Sequence, residues 1–130
     1  MLRDGPIPRF AHGLIEYVAG ALLVVAPFLL GFDSGAAIAA SIVIGVLVIL
    51  VAAATEGPTS LVDSLQIQLH IALDYVLGAF LVASPFLFGF SDESTPTAFF
   101  IAIGVVHLLV TLGTRFLPRR ERESSRSEAG

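Results

Sequence analysis

A histidine, a carboxylate and a tyrosine occur together twice in this chain, as His12, Glu16 and Tyr17 and again as His70, Asp74 and Tyr75. Each histidine precedes its carboxylate by four residues, so in a helix the two side chains share a face, one turn apart. Gly20 and Gly78 continue those stripes by another turn, and a glycine there lets a facing helix come close. Imidazoles beside carboxylates support three kinds of chemistry. They form a structural clamp, in which buried polar groups satisfy one another and set the register of packed helices. They ligate a metal such as zinc or iron, since an i, i+4 pair can chelate. Or they pass protons or bind a cation during transport. The clamp is the leading expectation, and no metal or cofactor is assigned. Haem between His12 and His70 is disfavoured by a carboxylate one turn away.

The elements that position these residues follow from composition. Of the 130 residues, 55% are hydrophobic and 14% charged, with a mean hydropathy of +0.88, a membrane composition. Four apolar stretches, 10–32, 35–55, 65–90 and 95–114, each approach the ~20 residues that a helix needs to cross ~30 Å of hydrocarbon. They lack the alternation of barrel strands, so the expectation is an all-α bundle of four transmembrane helices. The residues before the first stretch have no apolar core, and that stretch carries Glu16, so a cleaved secretory signal is not expected. Cysteine is absent, which removes disulfides and thiolate chemistry.

All seven basic residues are arginines, and they stand at the two ends: Arg3 and Arg9, then Arg115, Arg119, Arg120, Arg122 and Arg126. The positive-inside rule places both termini in the cytoplasm of a multi-pass cell-membrane protein, with the loops of Asp33 and of Asp92 and Glu93 outside. From Tyr17 to Phe32 there are 16 uncharged residues, roughly 24 Å of helix, which puts Glu16 and Asp74 about one turn inside the cytoplasmic boundary.

The chain is a tandem repeat. Shifted by 58 residues, the segment from His12 to Phe32 falls on that from His70 to Phe90 with twelve of 21 positions identical; one more residue in the later loop brings Gly45 over Gly104. Each unit holds two helices, so the units enter the membrane from the same side and are related by a pseudo-twofold axis along its normal. The organisation expected is an N-terminal segment 1–9, a first repeat 10–56, a linker 57–64, a second repeat 65–116 and a disordered, cytoplasmic tail 117–130. The segments around Pro27, Phe28, Gly31 and Phe32 (APFLLGF) and around Ser84, Pro85, Phe86, Gly89 and Phe90 (SPFLFGF) resemble the signature of SPW-repeat membrane proteins. Ala26 stands where the motif has serine, and Phe28 and Phe86 where it has tryptophan. The resemblance implies a bacterial or archaeal integral membrane protein of unknown biochemical activity.

Local signals refine the limits. Ser60 with Asp63 fits a capping box with an interfacial turn near Leu61, and Thr95 with Pro96 an N-cap and first helical position. Pro27 and Pro85, each four residues before a glycine, read as helices loosening in a last turn, with a transporter-like kink as the alternative. Ala37, Ser41 and Gly45 form a small-residue line, for bundle packing or a dimer seam. His107, aligned with Val48, has no repeat counterpart. It is expected to be neutral and hydrogen-bonded to a neighbouring helix, outside any repeated network, with a midplane proton or ligand site as the alternative. No nucleotide-binding or protease motif occurs, and the tail arginines alternate with glutamates, an anchor at the lipid surface and not a nucleic-acid site. The partners expected are the bilayer and either a second copy or another membrane protein. A structural or accessory role ranks ahead of transport, and transport ahead of catalysis.

Overall fold

The computed structural model describes residues 6–55, 58–62 and 65–115. Four helices, α1 (Arg9–Leu29), α2 (Gly35–Ala54), α3 (Ile67–Leu87) and α4 (Ser94–Gly113), follow in order, between two-residue strands β1 (Ile7–Pro8) and β2 (Thr114–Arg115). At 20 or 21 residues each spans about 30 Å, the hydrocarbon thickness. All four are long and apolar enough to cross a membrane, and residues such as Val18, Leu47, Val76 and Leu109 face outward, where acyl chains would cover them. The chain is a multi-pass membrane protein in a lipid bilayer.

Each repeat is a hairpin, α1 packed on α2 and α3 on α4. Glycines set both crossings. A Cβ on Gly45 would lie 2.7 Å from the Gly20 carbonyl oxygen, and one on Gly104 would lie 2.9 Å from that of Gly78. The stripe glycines therefore serve the packing inside each hairpin, and Ala37, Ser41 and Gly45 are buried in the bundle.

Helices α1 and α3 end earlier than their apolar runs. Gly31 and Gly89 take φ of 65° and 73°, a left-handed turn that stops a helix. The chain then folds back, so that Phe32 N–H donates to Pro27 O at 3.0 Å and Phe90 N–H to Pro85 O at 2.9 Å, and both phenylalanines enter the core. The prolines thus sit in terminating turns. Pro27 has no N–H to offer the Leu23 carbonyl; Ser41 Oγ donates to it instead, at 2.5 Å.

Two expected limits are corrected. α4 begins at Ser94 with Glu93 as N-cap, leaving Thr95 and Pro96 inside its first turn, because proline needs no N–H partner anywhere in that turn. α3 begins at Ile67, and the Leu61 and Val62 amides instead donate to Ala53 O, continuing the end of α2. Asp63 and the tail 117–130 lie outside the described residues.

The repeats close on each other at one end. β1 pairs in parallel with β2, Ile7 opposite Thr114, and Leu65 pairs with Thr55 by a parallel bridge. Leu65 is Ile7 shifted by 58 and Thr114 is Thr55 shifted by 59. The lead-in to each hairpin thus lies on the exit of the other, as a pseudo-twofold relation requires. At the opposite end Glu93 accepts from the amides of Asp33 and Ser34 at 2.7 and 3.0 Å, tying the α1–α2 loop to the α3–α4 loop.

Candidate functional site

The start of α1 and the start of α3 face each other across the pseudo-twofold axis and bring His12, Glu16, His70 and Asp74 into one buried cluster. His12 Nε2 lies 3.0 Å from Asp74 Oδ2 and 3.4 Å from Glu16 Oε1; His70 Nε2 lies 3.0 Å from Glu16 Oε1 and 3.1 Å from Asp74 Oδ2. Two nitrogens and two oxygens therefore alternate around a closed ring. Two of the four edges, His12 to Asp74 and His70 to Glu16, are hydrogen bonds, and each needs a proton, so the ring holds two, shared between imidazoles and carboxylates. Glu16 falls seven residues after the start of α1, about 10 Å along the helix, two turns inside.

The outer nitrogens are held by residues that sequence reasoning missed. His12 Nδ1 is 2.8 Å from Thr114 Oγ1 and His70 Nδ1 is 2.6 Å from Thr55 Oγ1. Each hydroxyl gives its one proton to a carbonyl four residues back, Thr114 to Val110 at 2.5 Å and Thr55 to Val51 at 2.6 Å. Each threonine can then only accept from the imidazole, so Nδ1 carries hydrogen and Nε2 faces the ring. Both contacts cross between repeats. The signal was present, because the 59-residue shift that superposes Gly45 on Gly104 also superposes Thr55 on Thr114.

The tyrosines stand outside the ring. They follow the carboxylates by one residue, about 100° around the helix. Tyr17 Oη donates to the Thr59 carbonyl at 2.9 Å, and Tyr75 Oη has no hydrogen-bond partner among the described residues. His107 departs from expectation in the other direction. Its Nε2 approaches Asp74 Oδ1 at 3.5 Å, and its ring centroid is 6.4 Å from that of His12, so it borders the ring. That nitrogen has no hydrogen bond among the described residues, because Asp74 is already drawn toward His12 and His70.

A small cavity of about 30 Å³, lined by Arg9, His12, Glu16, Thr55, Thr59 and His70, lies beside the ring on the side that carries β1 and β2. It has room for a water. On the α2 side, Glu16 and Asp74 border an apolar groove of about 310 Å³ with Val48, Leu73, Leu77 and Phe80. Farther along the helices lies the apolar core of Leu23, Leu81, Phe90 and Phe100.

The repeat-motif residues lie at the opposite end. Ser84 is buried with Oγ donating to Phe80 O at 2.7 Å, and Ala26, Pro27 and Pro85 are buried. Phe28 and Phe86 are 73% and 66% exposed, so the third motif position presents an aromatic ring outward, without the polar edge by which tryptophan and tyrosine settle at a membrane interface. Neither curated proteins nor solved structures yield a match to this chain. The model of the SPW repeat domain matches residues 9–114, from the first residue of α1 to the threonine that holds His12. The match covers both hairpins and the whole ring, and the chain belongs to the SPW-repeat family.

Proposed function

We propose that this protein serves the cell membrane as a structural or accessory component without catalytic activity, and that its polar ring locks the two hairpins into one arrangement. One observation carries this reading: among the described residues, the Nε2 and the Nδ1 of His12 and of His70 each make their hydrogen bond to the other repeat. Inside lipid no hydrophobic force draws helices together, so a satisfied polar set specifies how they pack. The exposed apolar faces of all four helices suit association with a second copy or another membrane protein. The terminal arginines favour cytoplasmic termini, and reporter fusions at both ends test that orientation; a C-terminus outside the cell refutes it.

The clamp is tested by unfolding in detergent. Glu16→Ala and Asp74→Ala each destabilise the bundle, and the double variant loses less than the sum, by a coupling of ~0.5–3 kcal/mol. Strict additivity means that the halves share no polar site. Ion or proton transport is the second reading, supported by the cavity of about 30 Å³ beside the ring. A proteoliposome flux that vanishes in Glu16→Gln would replace the accessory role with transport.

A further inference from the structure

We propose that the ring is a binding site for one first-row divalent transition-metal ion, ligated by His12 Nε2, His70 Nε2, Glu16 and Asp74, with His107 orienting Asp74. The inference rests on the reading of these residues as the junction between hairpins and adds to it an occupant. One donor atom from each of the four residues lies within 4.8 Å of all the others. Bonds of ~2.0–2.2 Å space tetrahedral ligands roughly 3.3–3.6 Å apart. The ring edges of 3.0 to 3.4 Å need to open by only a few tenths of an ångström, and the widest separation to close by about one.

Two further observations point to a ligand and not only to packing. Metal-bound histidines ordinarily donate the hydrogen of their other nitrogen to a fixed acceptor, which sets the tautomer and aims the free nitrogen. Thr114 and Thr55 do this for His12 and His70, and neither hydroxyl has a proton left with which to do anything else. In addition, His107 Nε2 is buried without a hydrogen bond among the described residues and aims at Asp74 Oδ1 across 3.5 Å. A metal drawing Oδ2 inward would turn the carboxylate and let Oδ1 accept from His107.

Charge also balances. The ring as drawn holds two protons between its nitrogens and oxygens; one divalent cation entering as those two protons leave keeps its net charge unchanged, which matters where an uncompensated charge is costly. The cavity beside His12, Glu16 and His70 is also lined by Arg9, Pro58 and Thr59, at the end where the chain enters α1, and has room for a water. Two imidazoles select against magnesium and calcium, which prefer all-oxygen sites, and favour zinc, iron, cobalt or nickel.

The test uses the full chain, purified in detergent, stripped with EDTA, offered zinc chloride and desalted, with the retained metal measured by elemental analysis. The expected result is one zinc per chain. Glu16→Gln with Asp74→Asn preserves volume and hydrogen bonding but removes both carboxylate ligands, and is expected to retain none under the same conditions. His107→Ala is expected to retain zinc with affinity lowered about 10–100-fold, the usual effect of losing an orienting group. Wild-type protein that emerges free of zinc overturns the proposal, as does equal retention by the Glu16→Gln/Asp74→Asn variant. Unfolding of the same samples in EDTA separates this outcome from the clamp. Destabilised Glu16→Ala with no zinc retained leaves the clamp and removes the metal; zinc retained with Glu16→Ala as stable as wild type leaves the metal and removes the clamp.

Discussion

The two repeats agree at the backbone and at the ring, and they differ in what surrounds it. Thr55 and Thr114 hold equivalent histidines, Gly20 and Gly78 make equivalent crossings, and Leu23 and Leu81 fill equivalent places in the core. Around this shared frame stand three unequal pairs. His107 borders the ring from α4 while its counterpart Val48 lines an apolar groove from α2. Ser41 answers the carbonyl that Pro27 leaves open, whereas its counterpart is the buried Phe100. Tyr17 is hydrogen-bonded, and Tyr75 has no such partner among the described residues. The equal positions include the contacts that cross between repeats, where a change in one repeat disturbs both, and the glycine crossings, which each hairpin needs for its own close approach. His107, Val48, Ser41 and Phe100 are buried as well, but none of the unequal positions makes a contact that its counterpart repeats, so each copy could change there without altering the other's bond.

Asp74 and Glu16 are the sharpest pair with which to break the symmetry. Asp74 lies within 3.5 Å of three histidines and Glu16 within 3.4 Å of two. Asp74→Ala is expected to cost about 3–5 kcal/mol, the range for stripping one partner from a buried ionic set. Glu16→Ala, which strips a partner from two histidines and not three, is expected to fall at the low end of that range, about 3 kcal/mol. Equal losses in detergent unfolding would show that His107 adds nothing to the ring.

The threonines should restore the symmetry: Thr55→Val and Thr114→Val each leave a buried imidazole N–H without its acceptor, at about 1–3 kcal/mol and by similar amounts. A large inequality between them would mean that the two histidines are not equivalent. Ser41→Ala comes next. It leaves the Leu23 carbonyl without the partner that replaces the missing proline N–H, at about 1–2 kcal/mol for an orphaned buried acceptor. Ser84→Ala is expected to fall below that, since the hydroxyl bonds a carbonyl of its own helix. The smallest effect belongs to Tyr75→Phe, expected within about 0.5 kcal/mol of wild type. Tyr17→Phe, by contrast, also loses its bond to Thr59. Thermal or denaturant unfolding of the two variants side by side checks this.

The residues alone determined the environment, the number of helices and the repeat. Apolar runs of bilayer length, a 58-residue echo and arginines confined to the ends are one-dimensional properties, each with a direct physical meaning in lipid. The i, i+4 spacing likewise determined that His12 and Glu16 share a face, as do His70 and Asp74. Only the tertiary structure decided what each face meets. The stripe from His12 to Gly20 looks uniform in sequence, yet its glycine packs against α2 within the hairpin while its histidine and carboxylate reach α3 of the other repeat. The direction of a side chain around a helix follows from local geometry, but the helix that it encounters depends on how hairpins dock, which no local spacing encodes. His107 shows the same division. Sequence placed it alone, 33 residues beyond Asp74 and without a counterpart, and the crossing of α3 with α4 set it beside the ring. The threonines lie between these cases: the repeat already paired Thr55 with Thr114, but their meaning rests on a contact from one repeat to the other across 102 residues of chain for His12 and Thr114, and that contact exists only once the bundle has closed.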